Sequence, residues 1–393
     1  MSAAVPSLLH YGRHAIDEDD IAAVAAVLRS DYLTTGPAVE AFETAFARAT
    51  GAPHAVACAN GTAALHLAAL ALDIGPGDAV VVPTITFLAT ANAARFVGAE
   101  VIFADVDPDT GLMRPEDFER ALAAGKNARI KAVLPVHLAG RPAYPADVAR
   151  LAARHGIAVI EDACHALGTS YATGNETATI GDCRHAAMQT FSFHPVKTIA
   201  SGEGGMVTTR DAALAARLAL LRNHGMARDP AKLAAAPWGY EMDEPGYNYR
   251  LSDIHCALGL SQLGKLAKFA ARRRALAARY DRALAPLAPH IVPVRSPNGT
   301  TPVLHLYQVL IDFAALRTTR AAFMEALRAR GIGTQVHYIP VHTQPYYRRR
   351  YGEIALPGAQ RFYERTLSLP LFPQMGDDDV DHVVDALDAM ARR

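Results

Sequence analysis

The sequence predicts an α/β protein, with a large domain on a mostly parallel seven-stranded sheet and a smaller C-terminal α+β domain. Three observations predict it. Between about residues 54 and 210, seven short apolar runs rich in β-branched residues alternate with alanine-rich helical stretches, the pattern of a sheet covered by helices on both faces. At 393 residues the chain is longer than one ordinary domain. Past residue 265 the alternation gives way to a mixed order of strands and helices. The boundary is placed there, giving domains over residues 1–265 and 266–393.

Taken in order, residues 17–29 (DEDDIAAVAAVLR) carry acids in a first helical turn and apolar residues at helical spacing, and so predict a capped surface helix outside the sheet. The seven strand runs are AVACAN (55–60), AVVVPT (79–84), EVIFADV (100–106), IKAVLPVH (130–137), IAVIEDA (157–163), AAMQTFSF (186–193) and GGMVTT (204–209). A single long helix is predicted over residues 252–284, leading out of the sheet region. Beyond it come a strand at HLYQVLIDF (305–313), a helix at 320–330, a strand at TQVHYIP (334–340) and a terminal helix after Asp377.

Lys+Arg and Asp+Glu both number 39, so no global field exists to hold a polyanion such as nucleic acid. Cys58, Cys164, Cys183 and Cys256 are far apart without CxxC spacing, which argues against a disulfide framework and against a zinc site; no metal is expected. The N-terminal residues reach acids before any apolar run of signal-peptide length, and no window has the length of a membrane span, so a cytoplasmic protein is expected.

The chemistry concentrates at strand ends. In FSFHPVKTIASGEGG, Lys197 follows a strand in a turn, where a desolvated lysine can lose its proton and attack a carbonyl; otherwise it is a solvated loop lysine. IAVIEDACHALG delivers Glu161 and Asp162 at another strand end, with His165 three residues on. A buried aspartate there can hold a heterocyclic nitrogen protonated, or merely cap a helix. Gly61 and Thr62 open a helix directly after a strand, an anion site or a plain N-cap. Phe87 can stack on a flat ligand or belong to the core.

Together these segments resemble the DegT-type sugar aminotransferases, pyridoxal 5'-phosphate (PLP) enzymes of fold type I. The resemblance runs from YGRH near residue 11 to SLPLFP at 368–373, with FSFHPVK followed by GEGG as its most specific motif and EDACHALG and GYNYRLSD next. It implies Lys197 as the Schiff-base lysine and catalytic acid/base, and Asp162 on the pyridine nitrogen. His165 would face the phenolic oxygen, and Phe87 would cover the ring. Gly61, Thr62, Ala63 and Ser192 would surround the phosphate. Asn248 would reach that phosphate from the partner subunit of a homodimer.

Many members carry Gln where this chain has His165. The histidine, the opening YGRHAIDEDD, SDYLTTGP, NHGM, the insertion with Pro237, Trp238 and Tyr240, and QVHYIPVH resemble the PseC-like branch. That resemblance implies transfer of nitrogen from L-glutamate to carbon 4 of a UDP-4-keto-6-deoxy-N-acetylhexose, as in pseudaminic acid synthesis. The alternatives are a GDP- or dTDP-sugar aminotransferase such as a perosamine synthase, or a non-catalytic PLP-binding regulator. Dehydratases on this scaffold replace the lysine with histidine, so Lys197 argues against that chemistry. His337 is equally explained as a packed strand histidine.

Overall fold

The computed structural model describes residues 8–228 and 237–392. Part of the insertion before Pro237 and the first seven residues of the N-terminal segment lie outside them. The seven expected runs form strands β1 (His54–Cys58), β2 (Asp78–Pro83), β3 (Glu100–Ala104), β4 (Arg129–Val133), β5 (Ala158–Asp162), β6 (Met188–Ser192) and β7 (Gly205–Thr209). They make one sheet in the order β1-β7-β6-β5-β4-β2-β3. Only β7 runs against its neighbours.

Period-two alternation explains why these runs are apolar throughout. Val80 and Val82 of β2 enter a core cluster with Val101, Phe103 and Ile160, whereas Val81 enters another with Val133 and Val159 on the opposite face. Helix Gly61–Ala71 is buried along most of its length, and its five alanines let it lie close to the sheet. A strand buried on both faces needs such cover on each, which is why alanine-rich helices alternate with strands here.

The N-terminal helix runs over Glu18–Leu28, with Asp17 and Asp20 forming a reciprocal capping box. Its one buried residue, Asp20, accepts hydrogen bonds from Ser261 and Gln262, which fixes the helix to Asp253–Gly264. The long helix expected over 252–284 is two helices, Asp253–Gly264 and Leu266–Leu284, separated at Lys265. Lys265 is held in ion pairs with Asp17 and Asp20, so the break falls where the N-terminal helix docks.

The second half holds a three-stranded antiparallel sheet of Ile291–Pro293, Tyr307–Ile311 and Thr366–Leu369 with its own apolar cluster, closed by helices Arg320–Arg328 and Asp377–Ala391. The strand expected at 334–340 is absent. Only Gln335 bridges Ser368; the rest is held by other bonds, with the His337 carbonyl accepting from Gln308 at 3.1 Å and His337 Nδ1 lying 2.9 Å from Ser368 Oγ. This segment is drawn away from the sheet to line a cavity.

Candidate active site

A cavity of about 540 Å³ opens at the carboxyl ends of the parallel strands. Asn60, Gly61 and Thr62 follow β1, Thr86 and Phe87 follow β2, Val136 follows β4, Asp162 to His165 end β5, and Ser192 to Lys197 end β6; all but Ala163, Phe193 and Pro195 line it. This is the edge at which open α/β sheets bind ligands. Six of the expected site residues, Gly61, Thr62, Phe87, Asp162, His165 and Ser192, therefore share one space with Lys197.

Asp162 and Glu161 are separated by the pleat. Glu161 turns the other way and accepts from Gln189, with His137 Nε2 3.1 Å away. Asp162 lies at the cavity floor, with Oδ2 2.7 Å from Thr90 Oγ1 and Oδ1 accepting from the Cys164 backbone N–H at 3.2 Å. Thr90 in turn lies 2.7 Å from Thr86 Oγ1. An ionised carboxylate only accepts, so Thr90 donates to Asp162 and Thr86 donates to Thr90. The aspartate is thereby held in one orientation.

Lys197 Nζ has neither an ion pair nor a hydrogen bond among the described residues. Burial lowers its pKa from the ordinary lysine value, against an opposing pull from Cys164 and Asp162. A lowered pKa favours the uncharged, nucleophilic amine.

At the start of helix Gly61–Ala71, Asn60 Oδ1 accepts from Ala63 N–H at 2.8 Å. Ala63 is buried one step behind the cavity wall, and the free N–H groups of the first turn are those of Gly61 and Thr62 among the described residues. A Cβ on Gly61 would lie 2.8 Å from Ser192 Cβ and 3.3 Å from Cys164 Sγ, so glycine lets the helix start close against β6. The N-cap reading and the anion-site reading thus apply to different N–H groups of one turn.

Phe87 is not in the core: its ring is 56% exposed at the cavity mouth, 5.9 Å from the Tyr338 ring. Asn248 does not line its own chain's cavity; it is exposed and bridges Asn223. Trp238 and Tyr240 are exposed too. Three of the cysteines are buried, and Cys164 lines the cavity; all are unpaired.

The sequence reading did not assign Tyr11, Thr86, Thr90, His305 or Tyr338. Tyr338 Oη is 3.2 Å from His165 Nε2, and the His305 ring centroid is 4.6 Å from that of His165. Burial, with Lys197 adding to it, holds His165 well below the ordinary histidine pKa, so the ring is neutral. The strand-end signal could not reach Tyr338 and His305, which arrive from distant segments.

The DegT/DnrJ/EryC1/StrS aminotransferase family matches residues 14–388. Helicobacter pylori PseC, an aminotransferase involved in pseudaminic acid biosynthesis, is 29% identical, covering 98% of this chain and 100% of its own, with a TM-score of 0.89. DesV from S. venezuelae is 36% identical over 95% of this chain and 94% of its own, with a TM-score of 0.85. Spr1654 from Streptococcus pneumoniae, solved in its PLP form, is 27% identical over 98% and 99%, with a TM-score of 0.87. The chain belongs to the DegT/DnrJ/EryC1/StrS aminotransferase family and is a PLP-dependent sugar aminotransferase.

Proposed function

We propose that this protein transfers the amino group of L-glutamate to carbon 4 of a UDP-linked 4-keto-6-deoxy-N-acetylhexose, working as a homodimer in the cytoplasm. The observation that carries the chemistry is Lys197, with its lowered pKa and unpartnered Nζ, in one cavity with an Asp162 carboxylate fixed by Thr90. The choice of sugar draws on the likeness to PseC over nearly the full length of both chains. Four unpaired cysteines fit a reducing compartment. Residues 1–265 would form the cofactor-binding domain and 266–393 the second domain.

The residues present fit PLP. A carboxylate with fixed orientation suits a protonated pyridine nitrogen, and the close start of helix Gly61–Ala71, which a Cβ would fill, suits a phosphate. Lys197 would hold the cofactor through its amine, Asp162 at the ring nitrogen, and the Gly61–Thr62–Ala63 turn with Ser192 at the phosphate. Phe87 would cover the ring, His165 would face the phenolic oxygen, and the partner's Asn248 would reach the phosphate. When bound, PLP supplies the electron sink that lets nitrogen leave an amino acid and join a keto sugar.

The chain's own part is positional and protonic. Lys197 Nζ, uncharged once freed, takes the proton from Cα of the amino donor and hands it on. Asp162 would stand against the ring nitrogen, and the Thr86–Thr90 chain stops its carboxylate from turning away. Phe87 covers one side of the site and limits water there.

The test is a panel of UDP-, GDP- and dTDP-4-keto-6-deoxy sugars with glutamate, read by mass spectrometry. Amination of a UDP-sugar is expected; success with a GDP- or dTDP-sugar alone would replace the nucleotide. Borohydride reduction followed by peptide mapping should place the pyridoxyl group on Lys197, and Lys197→Ala should abolish it. A label on another lysine would overturn the site.

A further inference from the structure

Among the described residues of this chain that line the cavity there is no arginine. Among its described lining residues, Lys197 is the only side chain other than histidine that can carry a positive charge. Planar guanidinium is the usual partner of a carboxylate. Its absence has a physical rationale if one cavity must take two substrates in turn, as the proposed reaction requires. A guanidinium matched to the amino donor's carboxylate would face neutral sugar hydroxyls in the second half-reaction, leaving a desolvated charge uncompensated. A neutral O–H donor pairs with either kind of oxygen.

The hydrogen-bond order around His165 supplies such a donor. The Ala139 backbone N–H donates to His165 Nδ1 at 3.2 Å, so that nitrogen carries no proton. A neutral imidazole has one N–H, and here it must be on Nε2. Nε2 lies 3.2 Å from Tyr338 Oη, so the histidine donates and the tyrosine oxygen accepts. Tyr338 therefore cannot spend its own proton on His165, and no other partner for Oη occurs among the described residues. Burial raises the Tyr338 pKa, which keeps the hydroxyl protonated.

The fold holds this order in place from both sides. Ala139 belongs to the turn Leu138–Gly140, whose carbonyl at Ala139 accepts from His305 N–H at 3.2 Å. The segment carrying Tyr338 is fixed by Gln308 Nε2 on the His337 carbonyl, and Gln308 Oε1 accepts from buried Arg141 at 3.1 Å. Tyr338 lines the cavity with its ring 6.1 Å from His165 and near parallel to it.

We propose that Tyr338 is a shared substrate donor: its Oη–H bonds a carboxylate oxygen of the amino donor in one half-reaction and a hydroxyl oxygen of the keto sugar in the other. The assignment rests on the sugar aminotransferase reading above and adds the residue that reads both substrates. A residue dedicated to one substrate would be felt in one half-reaction only.

Holoenzyme carrying Tyr338→Phe should be compared with wild type in each half-reaction separately, following the cofactor absorbance as glutamate aminates it and as the keto sugar takes the nitrogen away. Half-saturating concentrations are expected to rise about 10-fold or more for both substrates, as for a lost hydrogen bond to a buried polar group. Cofactor content and thermal midpoint should stay as in wild type. Titration of holoenzyme with glutarate, which cannot react, should show a similar weakening. A change confined to one half-reaction, or none in either, overturns the assignment. If Tyr338→Phe fails to fold, Tyr338→Leu, which removes the same hydroxyl, carries the test and should weaken both half-reactions together; unequal effects on the two overturn it. Wild-type enzyme inert to every keto sugar would instead overturn the reaction reading, and this assignment with it.

Discussion

Thr90 donates its hydroxyl proton to Asp162 Oδ2 across 2.7 Å at the floor of the cavity. The donor stands in the first turn of helix Leu88–Phe96, directly after Phe87, so one strand-to-helix turn supplies both a ring at the mouth and a clamp at the floor. Removing the clamp leaves the carboxylate one fewer fixed donor. Thr90→Val should lower turnover about 10-fold while the protein stays folded, and Thr90→Ser should retain most activity. Steady-state rates with matched cofactor content check this; a Thr90→Val rate equal to wild type would show that Asp162 needs no such support.

Gly61 is a second steric prediction. Its missing Cβ leaves room for Ser192, and Gly61→Ala would force contacts of 2.8 Å at Ser192 Cβ and 3.3 Å at Cys164 Sγ. Overpacking of this kind costs roughly 1–3 kcal/mol and moves backbone. The helix start should shift away from β6, weakening retention of PLP more than it weakens the fold. Dialysis followed by cofactor assay, alongside thermal melting, separates the two effects.

The strand-end residues were legible because a strand fixes where its last side chain goes. Lys197, Asp162, Ser192 and Thr62 all follow from a short apolar run ending in a polar turn, and the sheet brings the turns together. Tyr338 and His305 were not legible, since their place depends on how segments more than a hundred residues away pack against β5. The alternation in TQVHYIP suits a strand, yet bonds from Gln308 and Ser368 hold His337 instead. The break at Lys265 was hidden for a similar reason: propensity continues through it, and the docking acids Asp17 and Asp20 come from the other end of the chain.

The buried histidines give a pH prediction. Burial first, with Lys197 adding to it, holds His165 and His337 below the ordinary histidine value, His337 at about 3; burial and then His165 do the same for His305. An unfolded histidine titrates near 6.5, so above that pH neither state binds the proton and stability is unaffected. Below it the unfolded chain takes up protons that the folded chain refuses, and stability falls as pH drops below about 6.5, by up to ~1.4 kcal/mol per pH unit for each histidine, with the share of His337 running down to about 3. Urea midpoints should be lower at pH 5.5 than at 7.5, and His305→Gln should flatten the slope. Equal midpoints would mean that the folded chain accepts these protons.

The last prediction concerns subunit sharing and rests on where Asn248 lies. It is exposed, paired through its backbone with Asn223, and absent from the wall of its own chain's cavity, so any action on the phosphate must come from a neighbouring copy. On the proposed assignment of Asn248 to the neighbouring site, Asn248→Asp would put a carboxylate beside that phosphate, and repulsion between the two anions should weaken PLP binding. Lys197→Ala removes the lysine amine. Each variant alone should be nearly inactive as a homodimer. In a mixed dimer, one site combines an intact Lys197 with an intact Asn248 of the partner subunit, while the other site carries both defects. Co-expression of differently tagged variants should therefore restore activity, up to about half the wild-type value per mixed dimer, since one of two sites is whole. Tandem pull-down isolates the mixed species. If it forms and stays inactive, Asn248 does not serve the neighbouring site, and its role is confined to the turn that pairs it with Asn223.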